Sequence, residues 1–366
     1  MSLYKHVLLK SFNVKGILRG ANTLYHCFRS GPKAGYPFRL KIESSAVCNL
    51  KCIMCPHAVG LRRPQGLLNF KNFRKVYDEV RPKYINLTEM GEPLLNPELF
   101  KIIKYASDRG TIVKLDTNGT LLTDENIIKL LDSKPAIVSV SLDAVNKKIY
   151  ESIRKGANFD QVIKNLKRLV QIKNKNNFPT EIYLFFVMQK SNTGELLEFL
   201  KFGEELGVDS INGAIAMDIG ENKNADRRAF EFDKDFLQKI LDFKKNAKSD
   251  INVDSIIDVL NDPDMKPKNR TNLPCYHLWY SASVTWDGNL FPCEIFCDGG
   301  LFFGNVFEKK FMDIWNGSKC QKFRMSTLKR EHPVCSDNCW ADDTFVYNWL
   351  KIFYKIPLFK RLSYRK

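Results

Sequence analysis

Two hydrophobic periods alternate along the first two thirds of the chain. Short segments rich in β-branched and aromatic residues, at 38–43, 84–88, 111–116, 136–142, 181–188 and 209–215, predict six strands. Between them, 70–80, 97–109, 124–131, 159–174 and 194–206 repeat apolar residues at three- and four-residue spacing and predict amphipathic helices. Gly110 and Gly207 follow two of these stretches as helix stops. Strands alternating with helices predict an α/β fold with a parallel sheet built from right-handed crossovers. Such sheets carry their chemistry at the C-terminal ends of the strands.

The pattern changes after 215. Residues 217–270 are polar and charged, with one helix expected at 234–245, and 261–274 holds three prolines among Asn and Asp residues. The organisation expected is an N-terminal basic extension (1–35), a barrel-forming region (36–247), a linker (248–270), a cysteine-rich module (271–342) and an aromatic, basic tail (343–366). A length of 366 residues agrees with a large α/β domain plus a smaller module. No run reaches the roughly 18 consecutive apolar residues of a spanning helix, Lys5 and Lys10 interrupt the N-terminal apolar residues, and no small-residue cleavage site follows; a cytoplasmic protein is expected.

The net charge of +16, from 57 basic and 41 acidic residues, suits either polyanionic partners or simply a lysine-rich solvated surface. No nucleic-acid-binding motif accompanies it, and no nucleic-acid partner is expected. The tail mixes Phe345, Trp349, Phe353 and Phe359 with lysines and arginines, a composition that suits either packing on the barrel or peripheral contact with an anionic membrane.

The ten cysteines are the most informative feature. Cys27 stands alone, Cys48, Cys52 and Cys55 cluster, six fall between 275 and 339, and none lies between 55 and 275. In a cytoplasmic chain this grouping points to metal ligands or buried thiols rather than disulfides. The spacing C-x3-C-x2-C after the first strand places three thiols in one loop. They can hold three corners of a cubane iron–sulfur cluster and leave the fourth iron open. With His57 as a fourth ligand the same loop could close a zinc site.

This C-x3-C-x2-C loop resembles the signature of the radical S-adenosylmethionine (SAM) superfamily, with Met54 where an aromatic residue is usual. The second strand is followed by Thr88-Glu89-Met90-Gly91-Glu92-Pro93, similar to the family's G-G-E-P loop with Met90 in the first glycine's place. Asp116-Thr117-Asn118-Gly119 after the third strand and Ser139-Val-Ser141-Leu-Asp143 after the fourth are similar to its T-N-G and S-x-D segments. The resemblance implies a partial (β/α)6 TIM-like barrel with a [4Fe–4S] cluster on Cys48, Cys52 and Cys55. SAM would chelate the open iron and be cleaved reductively to a 5′-deoxyadenosyl radical. It also implies SAM contacts from Met54, Met90, Gly91, Glu92, Thr117, Asn118, Ser141 and Asp143. Arg154 suits the methionine carboxylate, and Gln189 and Asn192 suit the adenosine, although Asn192 could equally cap the following helix.

Further along, Cys275, Gly288-x4-Cys293, Ile314-Trp315-Asn316, Arg324 and Cys335-x3-Cys339 resemble a SPASM domain, a small cysteine-rich C-terminal extension of many such enzymes. Six cysteines are too few for its two-cluster form. One auxiliary [4Fe–4S] cluster on Cys275, Cys293, Cys335 and Cys339 is expected, with Cys297 and Cys320 as spare buried thiols or alternative ligands. A zinc ribbon is the competing structure, and the wide spacing suits it poorly. The reading implies an oxidoreductase or maturase acting on a sugar, lipid-linked or other small molecule, or on a peptide, with a flavodoxin or ferredoxin as reducing partner. The short stretch before the first strand leaves no room for a leader-binding domain, which favours the small molecule. A non-catalytic iron–sulfur or zinc-binding protein is the reading of another class.

Overall fold

The computed structural model describes residues 21–23, 25–27, 29–216, 222, 234–261 and 275–328. Six strands, β1 (Arg39–Ile42), β2 (Tyr84–Asn86), β3 (Ile112–Thr117), β4 (Ile137–Ser141), β5 (Glu181–Met188) and β6 (Ser210–Ile215), pair in parallel in chain order. Helices α1 (Phe70–Val80), α2 (Leu99–Ser107), α3 (Asp124–Asp132), α4 (Lys147–Ile153), α5 (Phe159–Lys175) and α6 (Leu196–Leu206) fill the crossovers. This is the expected α/β fold, a partial (β/α)6 barrel. α4, only seven residues long, was not anticipated; a helix so short carries too few periods to stand out.

Alternation along the strands separates two faces. Leu40 and Ile42 of β1, Ile85 of β2, Val113 and Leu115 of β3 and Val138 and Val140 of β4 are buried against the helices in one core. Arg39, Lys41, Tyr84, Asn86, Lys114 and Asp116 take the other positions and face the barrel interior. α1 shows the matching helical logic: Phe73, Val76, Tyr77 and Val80 form its buried stripe, and the Asn69 side chain caps its start by accepting from the Asn72 amide. α6 ends on Gly207 at φ 77°, a left-handed turn that a side chain would strain.

Within the expected linker, Asp254–Asn261 forms a helix, α8, behind α7 (Lys234–Asn246). Asn252 bridges in parallel to Ser210, and Ser255 bonds the backbone of Gly213, so this segment covers the outer side of β6. The cysteine-rich segment adds α9 (His277–Tyr280), β7 (Ser281–Val284), β8 (Asn289–Phe291), β9 (Gly304–Asn305), α10 (Phe311–Trp315) and α11 (Ser318–Leu328). β7 pairs in parallel with β1, Arg39 opposite Ser281 and Lys41 opposite Ser283; β8 and β9 follow antiparallel. One nine-stranded sheet thus runs through both modules. They also share a core: Trp279, Trp315, Ala282 and Val284 belong to the same buried cluster as the barrel residues.

Arg324 explains part of the C-terminal motif. It is fully buried, donates to the carbonyls of Leu278, Pro32 and Trp315, and lies 4.8 Å over the Trp315 ring. Trp315 Nε1 donates to Gly35 O, and Asn316 exchanges hydrogen bonds with the Ala34 backbone. The Ile314-Trp315-Asn316 segment therefore clamps the irregular segment leading into β1. Among the described residues no helix is long and apolar enough to cross a membrane. The tail expected to pack or to meet a membrane lies outside them, as do Cys335 and Cys339.

Candidate active site

The cysteine loop leaves β1 at its C-terminal end and is tied down on both sides. Ser44 donates through its amide and its hydroxyl to Leu87 O beyond β2, while Lys51 N and Ile53 N donate to Lys155 O and Ile153 O at the end of α4. Asn222 Nδ2 donates to the carbonyls of Ile53 and Cys55. Cys52 is buried; Cys48, Met54 and Cys55 are half-buried. Burial pushes all three thiols up, Cys48 to about 11 and Cys55 to about 12; Cys48 lies in the field of Cys52, and Cys52 in those of Arg154 and Asp143. Among the described residues no three His, Cys, Asp or Glu side chains converge closely enough to hold one metal ion. Three thiols carried on one loop, with Cys48 in the field of Cys52 and Cys55 in the field of both, are the donor set of a three-cysteine cubane. His57, the possible fourth zinc ligand, is buried, with its imidazole beside the Met90 backbone.

The loop after β2 approaches the cysteine loop backbone to backbone. Glu92 N donates to Val47 O at 2.8 Å. A Cβ on Gly91 would lie 2.2 Å from Ser45 O and 2.7 Å from Val47 O, so only glycine fits. Glu92 turns inward, 1% exposed, and accepts from Thr117 Oγ1 (2.7 Å), Asn118 N (2.7 Å) and Leu94 N (3.1 Å). Burial raises its carboxyl above the usual range, and its charge reaches Cys48. Asn118 Nδ2 donates to Asn49 Oδ1, next to Cys48, and Asn49 Nδ2 donates to Thr120 Oγ1. Residues from the ends of β2 and β3 thus form one hydrogen-bonded collar on the cysteine loop.

The ends of β4 and β5 close the collar. Asp143 is fully buried; its Oδ1 accepts from Val187 N at 2.8 Å, and its Oδ2 lies 2.8 Å from Arg154 Nε, an ion pair bent too far for a hydrogen bond. Arg154 NH1 reaches Cys52 Sγ at 3.9 Å, so the guanidinium bridges the β4 carboxylate and the cysteine loop. Ser141 lies half-buried at the end of β4. Gln189, 1% exposed, has an Nε2 without a partner, whereas Asn192 is spent on structure: Oδ1 accepts from Gln189 N and Nδ2 donates to Asp143 O and Val187 O. Asn192 makes no cap bond to the following turn, because it ties β4 to β5 instead.

A second cluster of buried charge escaped the sequence reading. Glu43, fully buried, is forked by Arg63 (NH2–Oε1 2.5 Å, NH1–Oε2 2.8 Å) and accepts from Met90 N and Trp286 N, both at 3.2 Å. Arg63 Nε also donates to Cys297 O. Lys41 lies 3.1 Å from Glu89 and 3.3 Å from Glu294, which Arg39 also meets at 3.4 Å. Burial pushes Glu89 up to about 7 against the field of Lys41, and pushes His277 down to about 4. The only sequence signal was the charge at every second position along β1 and just past its end, from Arg39 through Lys41 to Glu43; the partners lie too far along the chain to be read. Of the expected auxiliary ligands, Cys275 and Cys293 are half-buried, while Cys297 and Cys320 are fully buried and Cys320 Sγ accepts from Arg324 NH2.

Comparison with known proteins agrees with this architecture. Residues 42–202 match the radical SAM superfamily, and residues 275–340 match the SPASM iron–sulfur cluster-binding domain. The chain is 26% identical over 312 residues to the AdoMet-dependent heme synthase of Methanosarcina barkeri, covering 80% of this chain and 86% of that protein. It is 28% identical over 175 residues to the mycofactocin maturase MftC of Mycolicibacterium smegmatis, covering 47% of this chain and 43% of that one. The fold is similar to SuiB of Streptococcus suis bound to S-adenosylmethionine, with a TM-score of 0.63 at 17% identity over 79% of this chain and 68% of that one. The chain belongs to the radical SAM superfamily, an enzyme with a SPASM domain whose cofactors are a SAM-binding [4Fe–4S] cluster, an auxiliary [4Fe–4S] cluster and S-adenosylmethionine.

Proposed function

We propose that Cys48, Cys52 and Cys55 hold the SAM-binding cluster, that Cys275, Cys293, Cys335 and Cys339 hold the auxiliary one, and that the enzyme acts on a small molecule. When bound, the cluster and SAM supply a 5′-deoxyadenosyl radical that abstracts hydrogen from the substrate. The protein's part is to position and to exclude water. Glu92 has three of roughly four acceptor positions filled, leaving one for the SAM amino group. Gly91 keeps the backbone close to the cysteine loop. The free amide of Gln189 suits the adenosine, with Thr117, Asn118, Ser141, Asp143, Met54 and Met90 around it. Arg154, held by Asp143, offsets thiolate charge at Cys52 and has donors left for a carboxylate. An electron would come from a flavodoxin or ferredoxin.

The collar that joins four strand ends to one cysteine loop carries this reading, since a mere metal scaffold has no use for it. The similarity to a heme synthase over 80% of this chain supports a small-molecule substrate. The test is anaerobic reconstitution. About eight irons per chain and 5′-deoxyadenosine release with dithionite are expected. Release should be abolished in the Cys48/Cys52/Cys55→Ala variant, with about four irons kept. Bound zinc, or release that survives the triple substitution, would sink the assignment.

A further inference from the structure

Buried polar groups in folded proteins nearly always find a partner, and a concentration of unsatisfied ones marks a place where water or a ligand belongs. One such concentration lies in the barrel interior between β1, β2 and β7. Apart from the ion pair with Lys41, neither Glu89 carboxylate oxygen meets a donor, and the side chain is 1% exposed. Ser281 Oγ, Ser283 Oγ and His277 Nε2 are also buried without a hydrogen bond. Register places Ser281 beside Arg39 and Ser283 beside Lys41 on the interior face, and His277 lies in the field of Arg39, Lys41 and Glu294.

The chemistry of the vacant hydrogen-bonding capacity is specific. The charges here already offset one another: Lys41 against Glu89 and Glu294, Arg39 against Glu294. A charged ligand would therefore meet no unmatched counter-charge. What is left is a carboxylate with two open acceptor atoms, two hydroxyls about 6.6 Å apart along one strand face, and one imidazole nitrogen. Tyr84, in register with Arg39, adds an aromatic ring to the same face. Adjacent hydroxyl groups match this set: two O–H donors on one carboxylate, with hydroxyls able to donate or accept opposite them. A peptide offers its N–H donors singly and more widely spaced.

We propose that this face is a substrate subsite for a neutral, hydroxyl-rich group, a sugar or other polyol, built jointly by Glu89 of the barrel and His277, Ser281 and Ser283 of the C-terminal module. The subsite rests on the radical SAM reading above and narrows its substrate class. The test uses the anaerobically reconstituted holoenzyme with SAM and follows saturation-transfer NMR of D-glucose, myo-inositol and, as the amide comparator, trialanine. Binding of at least one polyol is expected, weakened tenfold or more in Ser281→Ala/Ser283→Ala and in Glu89→Gln. The serine pair changes little volume and keeps the test valid should Glu89→Gln fold poorly. No polyol binding, trialanine binding alone, or equal polyol affinity in the serine variant would overturn the subsite. Deoxyadenosine release by the same wild-type preparation is scored separately: its absence overturns the enzymatic reading, and its presence without polyol binding overturns only the subsite.

Discussion

Arg154 and Asp143 form the most demanding electrostatic arrangement in the site, and their contribution can be measured. The two side chains are 7% and 0% exposed, and 2.8 Å separates Arg154 Nε from Asp143 Oδ2. In Arg154→Met the Asp143 carboxylate keeps only the Val187 amide, and stranding one partner of a buried pair costs about 3–5 kcal/mol. Asp143→Asn strands the guanidinium instead and carries a similar penalty. The double variant strands neither charge, so its loss should fall short of the sum of the single losses by about 2 kcal/mol or more. Urea unfolding of the reduced, cluster-free protein, followed by tryptophan fluorescence, reads all four corners of the cycle. The pH dependence has a fixed sign. Burial already raises the Asp143 carboxyl, and loss of Arg154 raises it further. The penalty in Arg154→Met exists only while that carboxyl is charged, so the deficit must be smaller at pH 5 than at pH 8. Single losses that add to within about 0.5 kcal/mol, or a deficit that grows on acidification, would refute the bridging role.

Gly91→Ala places a methyl about 1 Å inside contact distance of two backbone carbonyls, an overpacking of about 1–3 kcal/mol; iron content should persist while deoxyadenosine release falls at least tenfold, and a full rate would show that the close approach is dispensable. Glu89 titrates near 7 in the fold against about 4.5 unfolded, so the native state binds the extra proton between those values; stability should fall as pH rises from 5 to 8, by up to about 3 kcal/mol, and Glu89→Gln should flatten that slope in urea titrations.

Much of the barrel was legible because each strand alternates and each long helix repeats over several turns. The predicted strand 181–188 and helix 70–80 coincide with β5 and α1. Where the reading stopped, the physics is local in one direction and long-range in the other. β7 reads Ser-Ala-Ser-Val, too small and too polar to announce a buried strand, and it becomes one only because β1 offers an open edge. Asn192 had the local chemistry of a cap and was recruited instead by Val187 nearby and by Asp143, which the sequence places 49 residues before it. Glu43, Glu89 and Glu294 carried no motif of their own. The burial of Glu43 and Glu89, and their company with the half-buried Glu294, follow from the meeting of the barrel with the C-terminal module, which no local period encodes.

The pairing of β1 with β7 has a consequence for the order of events during synthesis. β1 emerges from the ribosome early, yet its outer neighbour begins at Ser281. At about 5–20 residues per second that partner arrives on the order of 10–50 s later. Through that interval the nascent barrel carries a bare strand edge, the kind of surface that recruits stray strands. Arg39 and Lys41, pointing into the interior beside that edge, make it an unattractive template for an apolar intruder. The charges that later meet Glu294 thus guard the growing chain first.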